Sequence, residues 1–427
     1  MEAPVLLITP PFTQLNTPYP ATAYLKGFFN TKNIATVQAD LGIEVTMELF
    51  SKKGLEKLFS AIHAKTESTE VIYSGNSLRM IALRDTYIQT IDHVIQFLQG
   101  KQNTLAHTIC TRQFLPEAGR FAQMDDLNWA FGSMGKQDRA KHIATMYLED
   151  LGDLIKETVD AHFGFSRYAE SLGRSANSFD ELYNALKLPY TYLDEILIKI
   201  LADRLNKVQP KLVCISVPFP GNLYTSLRCG QWIKKNMSHV KVAMGGGFAN
   251  TELRSLSDVR VFEFYDFITL DDGEAPLEIL IEHIDGKKEL TELKRCFTLV
   301  NNTVTYINNT SCTDYKQGQV GTPDYEGLLL DQYISVIEIA NPMHSLWSDG
   351  RWNKLTMAHG CYWAKCTFCD ISLDYIKSYE PISASLLVDR MEELINKTGQ
   401  NGFHFVDEAA PPSMMKAVAI EDRKAHV

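Results

Sequence analysis

Hydrophobic positions fall into two rhythms along this chain. Near the start, Val5-Leu-Leu-Ile is a continuous apolar run stopped by Pro10-Pro11. That pattern predicts a short strand buried on both faces. Tyr24 to Phe29 predicts a helix, and Ile34 to Ala39 a second strand ending at Asp40. From about residue 45 to 205 the spacing changes to three and four, as in Leu148, Leu151 and Ile155, or Leu193, Ile196, Leu197, Ile200 and Leu201. With few Gly or Pro breaks, this stretch is predicted to be almost wholly helical.

The first rhythm then resumes. Leu212-Val-Cys-Ile-Ser-Val is a strand, Pro218-Phe-Pro-Gly a turn, and Tyr224 to Lys235 a helix. Val240 to Met244 is the next strand, running into Gly245-Gly-Gly. Phe267 to Leu270 is another, followed by Asp271-Asp-Gly-Glu and a helix from Ala275 to His283. Continuous apolar strands alternating with helices predict an α/β fold with a doubly wound parallel sheet. Residues 1–50 and 206–290 form this Rossmann-type unit, with 51–205 as a helical insertion. Residues 291–350 hold a hairpin, Cys296 to Ile307 turning at Asn301-Asn302, and an irregular linker. Residues 351–427 make a third unit.

Composition changes little in this picture. The net charge of -10 excludes a general nucleic-acid surface, which needs a basic stripe. No run approaches the ~20 apolar residues that cross a membrane, and the first residues lack the basic-then-apolar order of a secretion signal. The expected location is the cytoplasm, where the eight cysteines stay reduced. Cys110, Cys214, Cys229, Cys296 and Cys312 are scattered and read as small buried hydrophobes.

The other three cysteines differ. Cys361, Cys366 and Cys369 crowd into one short stretch, Gly360-Cys-Tyr-Trp-Ala-Lys-Cys-Thr-Phe-Cys. Thiolates are soft ligands that suit zinc or iron–sulfur clusters. Three of them can hold three irons of a [4Fe–4S] cube and leave the fourth iron open to other ligands. A zinc site completed by His359 is the competing metal reading.

The segment resembles the cluster loop of the radical S-adenosylmethionine (SAM) superfamily: a strand, then Gly-Cys, then a Cys-x-aromatic-Cys with Phe368 as the aromatic. Four residues separate the first two cysteines here, where the family usually has three. Ser383 predicts the cap of a helix with Leu387, Val388, Met391, Leu394 and Ile395 on its apolar face, and Gly399 and Gly402 punctuate its end. A strand, Phe403-His-Phe-Val, follows and ends in Asp407-Glu408. This order resembles the opening of the radical SAM barrel. The resemblance implies a cluster on the three cysteines, with Phe368, Asp407 and Glu408 bordering SAM. It also implies a reductant such as a flavodoxin or ferredoxin. The substrate is not legible.

The first unit resembles the cobalamin-binding class within that superfamily. Leu6-Leu-Ile-Thr-Pro-Pro, Pro18-Tyr-Pro-Ala-Thr-Ala-Tyr-Leu, Gly245-Gly-Gly and Asp272-Gly-Glu274 carry the likeness. It implies cobalamin lined by Ser216, Pro218, Gly221, Gly245, Gly246 and Gly247. The loop Pro10 to Pro20 has no histidine, so cobalamin would lack a protein histidine on cobalt, or the domain has lost the cofactor. A six-unit barrel needs on the order of 180 residues. Only about two of its strands precede Val427, so a truncated or frameshifted version of a longer enzyme, or one that needs a partner to complete the barrel, is expected. The functions left open are a radical SAM enzyme performing methyl transfer or rearrangement, a non-catalytic cofactor-binding or interaction fragment, and a zinc-stabilised regulatory protein.

Overall fold

The computed structural model describes residues 5–68, 70–122, 135–165, 169–173, 178–338, 352–367, 369–370, 373–407 and 410–425. Its largest feature is a seven-stranded sheet. β1 (Val5–Thr9) lies between β2 (Thr36–Asp40) and β3 (Leu212–Ser216); β4 (Lys241–Gly245) and β5 (Phe267–Thr269) continue from β3. All of these pair in parallel. The order 2-1-3-4-5 is that of an open doubly wound sheet, whose strand order reverses between β1 and β3. The fold is therefore the α/β class read from the apolar runs.

β6 (Cys296–Val300) pairs antiparallel with β5, and β7 (Thr303–Ile307) with β6. Asn301 and Asn302 both take positive φ, 49° and 60°, the geometry a two-residue hairpin requires. The hairpin read at 296–307 is present, and it extends the sheet. That pairing was not readable from local pattern, because edge addition depends on which strand ends free.

Alternation sorts the strand residues to two cores. Leu6 and Ile8 join Val213, Ile215, Val242 and Met244 on one face. Val5 and Leu7 join Leu212, Cys214 and Ala243 on the other, under Phe28, Phe29, Leu277 and Leu280. Both faces are dry, which is why these strands read as unbroken apolar runs.

Between β2 and β3 the described residues form helices joined by loops, with no strand among them. β2 runs into the helix Leu41–Leu49, whose first amides, of Gly42 and Ile43, donate to Asp40 Oδ1 at 2.9 and 3.3 Å. The last of these helices, Tyr192–Val208, starts with a reciprocal cap between Thr191 and Asp194. Asp194 also meets the 1% exposed Arg228 at 2.9 Å, from the helix Leu223–Asn236. Arg228 further donates to the carbonyls of Ala185, Leu186 and Leu188. One buried guanidinium thus ties two helices of the helical stretch, Asp180–Lys187 and Tyr192–Val208, to the helix that follows β3.

In the C-terminal part, β8 (Asn353–Leu355) pairs in parallel with β11 (Phe403–Phe405). The helix Ala384–Thr398 connects them, capped by Ser383 Oγ and ended by Gly399 at φ 70°. Strand, helix and parallel strand appear in the order expected from the sequence. Between them, β9 (Ala358–His359) and β10 (Glu380–Pro381) form a two-residue antiparallel ladder. Leu355, Met357, Leu387, Val388 and Leu394 share a small core with Ala23 and Tyr325. The first helix, Ala21–Thr31, thus packs on the C-terminal part as well as on the sheet. Among the described residues no helix is long and apolar enough to cross a membrane.

Candidate functional site

In open α/β sheets, ligands sit beyond the carboxyl ends of the strands where the order reverses. Here that point lies between the loops after β1 and β3. The two loops are bonded together: Asn222 Nδ2 donates to Thr13 Oγ1 at 3.0 Å, and Thr225 Oγ1 to the Pro11 carbonyl at 2.5 Å. Ser216, Pro218 and Gly221 are buried, whereas Phe219 is 53% exposed and meets Tyr19 edge to face.

The glycine run after β4 faces the β3 loop. Gly246 has φ 101°, and a side chain there would come within 2.8 to 3.0 Å of the Val217 backbone. A side chain on Gly247 would meet the Pro218 carbonyl at 2.8 Å, and one on Gly245 the Thr269 hydroxyl at 3.0 Å. Glycine is required here so that two loop backbones can lie side by side. The Val217 carbonyl accepts from Phe248 N at 3.0 Å across this contact. Ser216, Pro218, Gly245, Gly246 and Gly247 are therefore brought together, with Gly221 one turn away at the start of the next helix. Next to them lies a cavity of about 450 Å³ whose wall includes Leu223, Leu227, Met244, Phe248 and Tyr265. Local sequence pattern could not have found it, because its lining comes from distant segments.

The same carboxyl edge meets the cysteine loop. Asp272, after β5, lies 3.0 Å from Nε2 of His359, the last residue of β9. The hydrogen bond to Asp272 holds the His359 pKa above its ordinary value. Glu274, beside this pair, is pushed up to about 7, mainly by burial and then by the Asp272 charge. Asp272-Gly-Glu274 carries part of the sequence resemblance, and its contact with the cysteine loop joins segments too far apart for local pattern to show.

Gly360 follows His359 at φ 70°, where a side chain would run into the Ser378 carbonyl. The loop then carries half-buried Cys361 and exposed Cys366 and Cys369, all as free thiols. Trp363 is 53% exposed, with Lys365 over its ring at 5.4 Å. Phe368 and Glu408 lie outside the described residues.

Asp407 closes the base of this loop. Its carboxylate accepts from Met357 N at 2.8 Å and Ala358 N at 2.9 Å, spanning the turn from β8 to β9. Burial raises its pKa despite these donors. Tyr24 adds a further tie, accepting from Thr356 N at 2.8 Å.

Three thiols on one short loop have the donor chemistry for an iron–sulfur cube. Among the described residues, no three His, Cys, Asp or Glu side chains converge closely enough to hold a metal ion. The donor set fits the cluster; its gathering around metal is not part of this conformation.

No known protein family matches the sequence, and no curated protein matches it. Solved structures do. The cobalamin-dependent S-adenosylmethionine radical enzyme OxsB, with aqua-cobalamin and S-adenosylmethionine bound, matches 53% of this chain and 30% of its own, at 16% identity and TM-score 0.41. The radical S-adenosylmethionine methyltransferase TsrM from Kitasatospora setae, with cobalamin and a [4Fe-4S] cluster bound, matches 100% of this chain and 52% of its own, at 12% identity and TM-score 0.41. The match thus spans about half or less of those proteins' length. Both of these solved structures are of radical SAM enzymes with cobalamin bound.

Proposed function

We propose that this chain, alone or as part of a longer protein, is a radical SAM enzyme with a cobalamin-type cofactor on its sheet. The observation that carries the reading is the placement of Cys361, Cys366 and Cys369. They sit on one partly exposed loop that Asp272 and His359 dock against the carboxyl edge of a 2-1-3-4-5 sheet. Cys361, Cys366 and Cys369 would hold a [4Fe–4S] cluster, which would supply the single electron needed for reductive cleavage of SAM.

The residues of this chain do the holding and orienting. The three thiolates ligate iron. Asp407 fixes the strand-to-loop turn through two backbone amides, and His359 ties the loop to the sheet. Phe368, Asp407 and Glu408 are assigned to the border of the SAM site on resemblance. Ser216, Pro218, Gly221 and Gly245 to Gly247 are assigned to the second cofactor, on the resemblance and on their place at the carboxyl ends of β3 and β4. No histidine lies in the loop after β1, so none is available there as a ligand to cobalt. A flavodoxin- or ferredoxin-class protein is the proposed electron donor.

A second reading is a zinc site of the three cysteines and His359. The Asp272 contact favours it, since a carboxylate on one imidazole nitrogen commonly orients the other toward metal. Anaerobic reconstitution with iron, sulfide and metal counts, and EPR with and without SAM, separates the two. About four irons with matching sulfide, and a signal that shifts on adding SAM, supports the radical SAM reading. One tightly held zinc and a colourless protein supports the other.

A further inference from the structure

Three lysines are buried among the described residues: Lys26, Lys294 and Lys354. The first two have carboxylate partners. Lys26 Nζ lies 3.1 Å from Asp324 and from Glu326, and Lys294 Nζ 3.3 Å from Asp314. Lys354 has none among the described residues. Its Nζ has a single polar neighbour there, Gln14 Oε1 at 3.4 Å, in the loop after β1. Gln14 is itself committed, donating its amide to the Thr17 carbonyl at 2.6 Å.

The direction of the Lys354 side chain follows from the strand. Asn353 and Leu355 face the helix Ala384–Thr398: Leu355 packs with Leu387, and the Asn353 side chain donates to the Gln400 carbonyl and accepts from Thr398 Oγ1. Alternation places Lys354 on the opposite face. His404 stands directly across from it on β11. The two basic groups thus share the face of β8 and β11 that looks toward the loop after β1. The lysine ammonium lowers the pKa of His404, after burial itself. Burial also brings the Lys354 ammonium down to about 8, where it is still mostly charged at neutral pH.

A desolvated cation without a counterion is costly, and such residues are commonly completed by a ligand. We propose that Lys354 and His404 form a binding site for an oxyanion, the carboxylate or phosphate of a small molecule held between β8, β11 and the loop after β1. The half-buried His404 marks the side from which the anion approaches. One ammonium and one imidazole suit a single oxyanion and lack the rigid donor fork that an arginine would present.

The test is thermal unfolding of the full chain without iron or SAM, so its outcome is independent of the cluster. Inorganic phosphate and acetate are titrated separately at pH 7 and constant ionic strength. The wild-type Tm is expected to rise by roughly 2 °C at saturation with one or both anions. A response to phosphate alone identifies a phosphate ligand, and a response to acetate alone a carboxylate. Lys354→Met is expected to match or exceed the wild-type Tm without anion, because it removes a buried charge that has no carboxylate partner among the described residues, and to lose the response. His404→Gln is expected to keep the wild-type Tm and weaken half-saturation severalfold. The proposal is overturned if neither anion shifts the wild-type protein, if both variants respond as the wild type does, or if Lys354→Met lowers the Tm without anion.

Discussion

The sheet and the cysteine segment are held together in different ways. In β1, every residue from Val5 to Thr9 is buried, and helices cover both faces. Burial at roughly 25 cal/mol per Å² of apolar surface is enough to specify such a strand without help from any single polar group. The segment from β8 to β11 has only a small core, shared with Ala23 and Tyr325. Its loop is fastened instead by individual polar contacts: Asp407 on two amides, Tyr24 on Thr356, Asp272 on His359. A strand specified by diffuse burial does not depend on any one polar contact to hold its place. A region pinned by a few carboxylates is adjustable, which would suit the proposed closing of this loop around a cofactor.

The cysteines test that difference most strongly. Alanine at Cys361, Cys366 or Cys369 should abolish a reconstituted cluster, taking iron from about four per chain to near background. Alanine at Cys214 should leave iron unchanged, because that thiol is fully enclosed in the sheet core and burial pushes it up to about 12. Iron analysis with the visible absorption spectrum decides. Loss of cluster in the Cys214 variant would break the comparison.

The next largest effect lies where the burial-dominated half does contain a charge. Asp194→Ala leaves Arg228 unpaired in the interior and should cost about 3–5 kcal/mol, read from urea unfolding. Replacing both residues with methionine should recover most of that loss, since it is the unmatched charge that is expensive.

A smaller, pH-dependent effect is expected at Asp40. Burial raises its carboxyl to about 6, although Gly42 and Ile43 amides and the Tyr333 hydroxyl at 2.7 Å all favour the ionised form. A folded-state pKa above the unfolded one stabilises the fold below the unfolded value. That stability is lost as pH rises through the folded pKa. Asp40→Asn keeps the cap and removes the titration. Relative to wild type, the variant should therefore gain on the order of 2–3 kcal/mol between pH 4 and pH 8, measured by urea midpoints across that range. A constant difference between the two proteins would show that Asp40 is already ionised without cost.

The smallest global effect should come from Asp407→Ala, which strands the Met357 and Ala358 amides. About 1–2 kcal/mol is expected. It should appear mainly as faster hydrogen exchange at those two positions, with β1 and β3 protected as before. Equal loosening of the sheet would mean that the two regions are one cooperative unit.

Much of this was legible from the order of residues. Val5 to Thr9 and Leu212 to Ser216 are apolar without interruption because both faces of a parallel sheet are covered. Asn301-Asn302 announced its turn because two adjacent positive φ values suit few residues. Ser383 and Gly399 bounded a helix because caps are local chemistry. The cysteine spacing was legible for the same reason. The β9–β10 ladder was not, because two residues of strand carry no periodicity. Nor were the bonds of the Asp407 carboxylate to the Met357 and Ala358 amides, because they join residues about fifty positions apart.

The sequence by itself determined the identity and spacing of the thiols, the two rhythms of burial, and the absence of a histidine in the loop after β1. These depend on near neighbours, which the chain order supplies. Tertiary structure decided that the hairpin extends the sheet, that a cavity opens beside the glycine run, and that Asp272 meets His359 across 87 residues. It also left Lys354 buried opposite His404 while pairing two other lysines with carboxylates. Such contacts join segments far apart in sequence, and they form only when the separate cores have packed against one another.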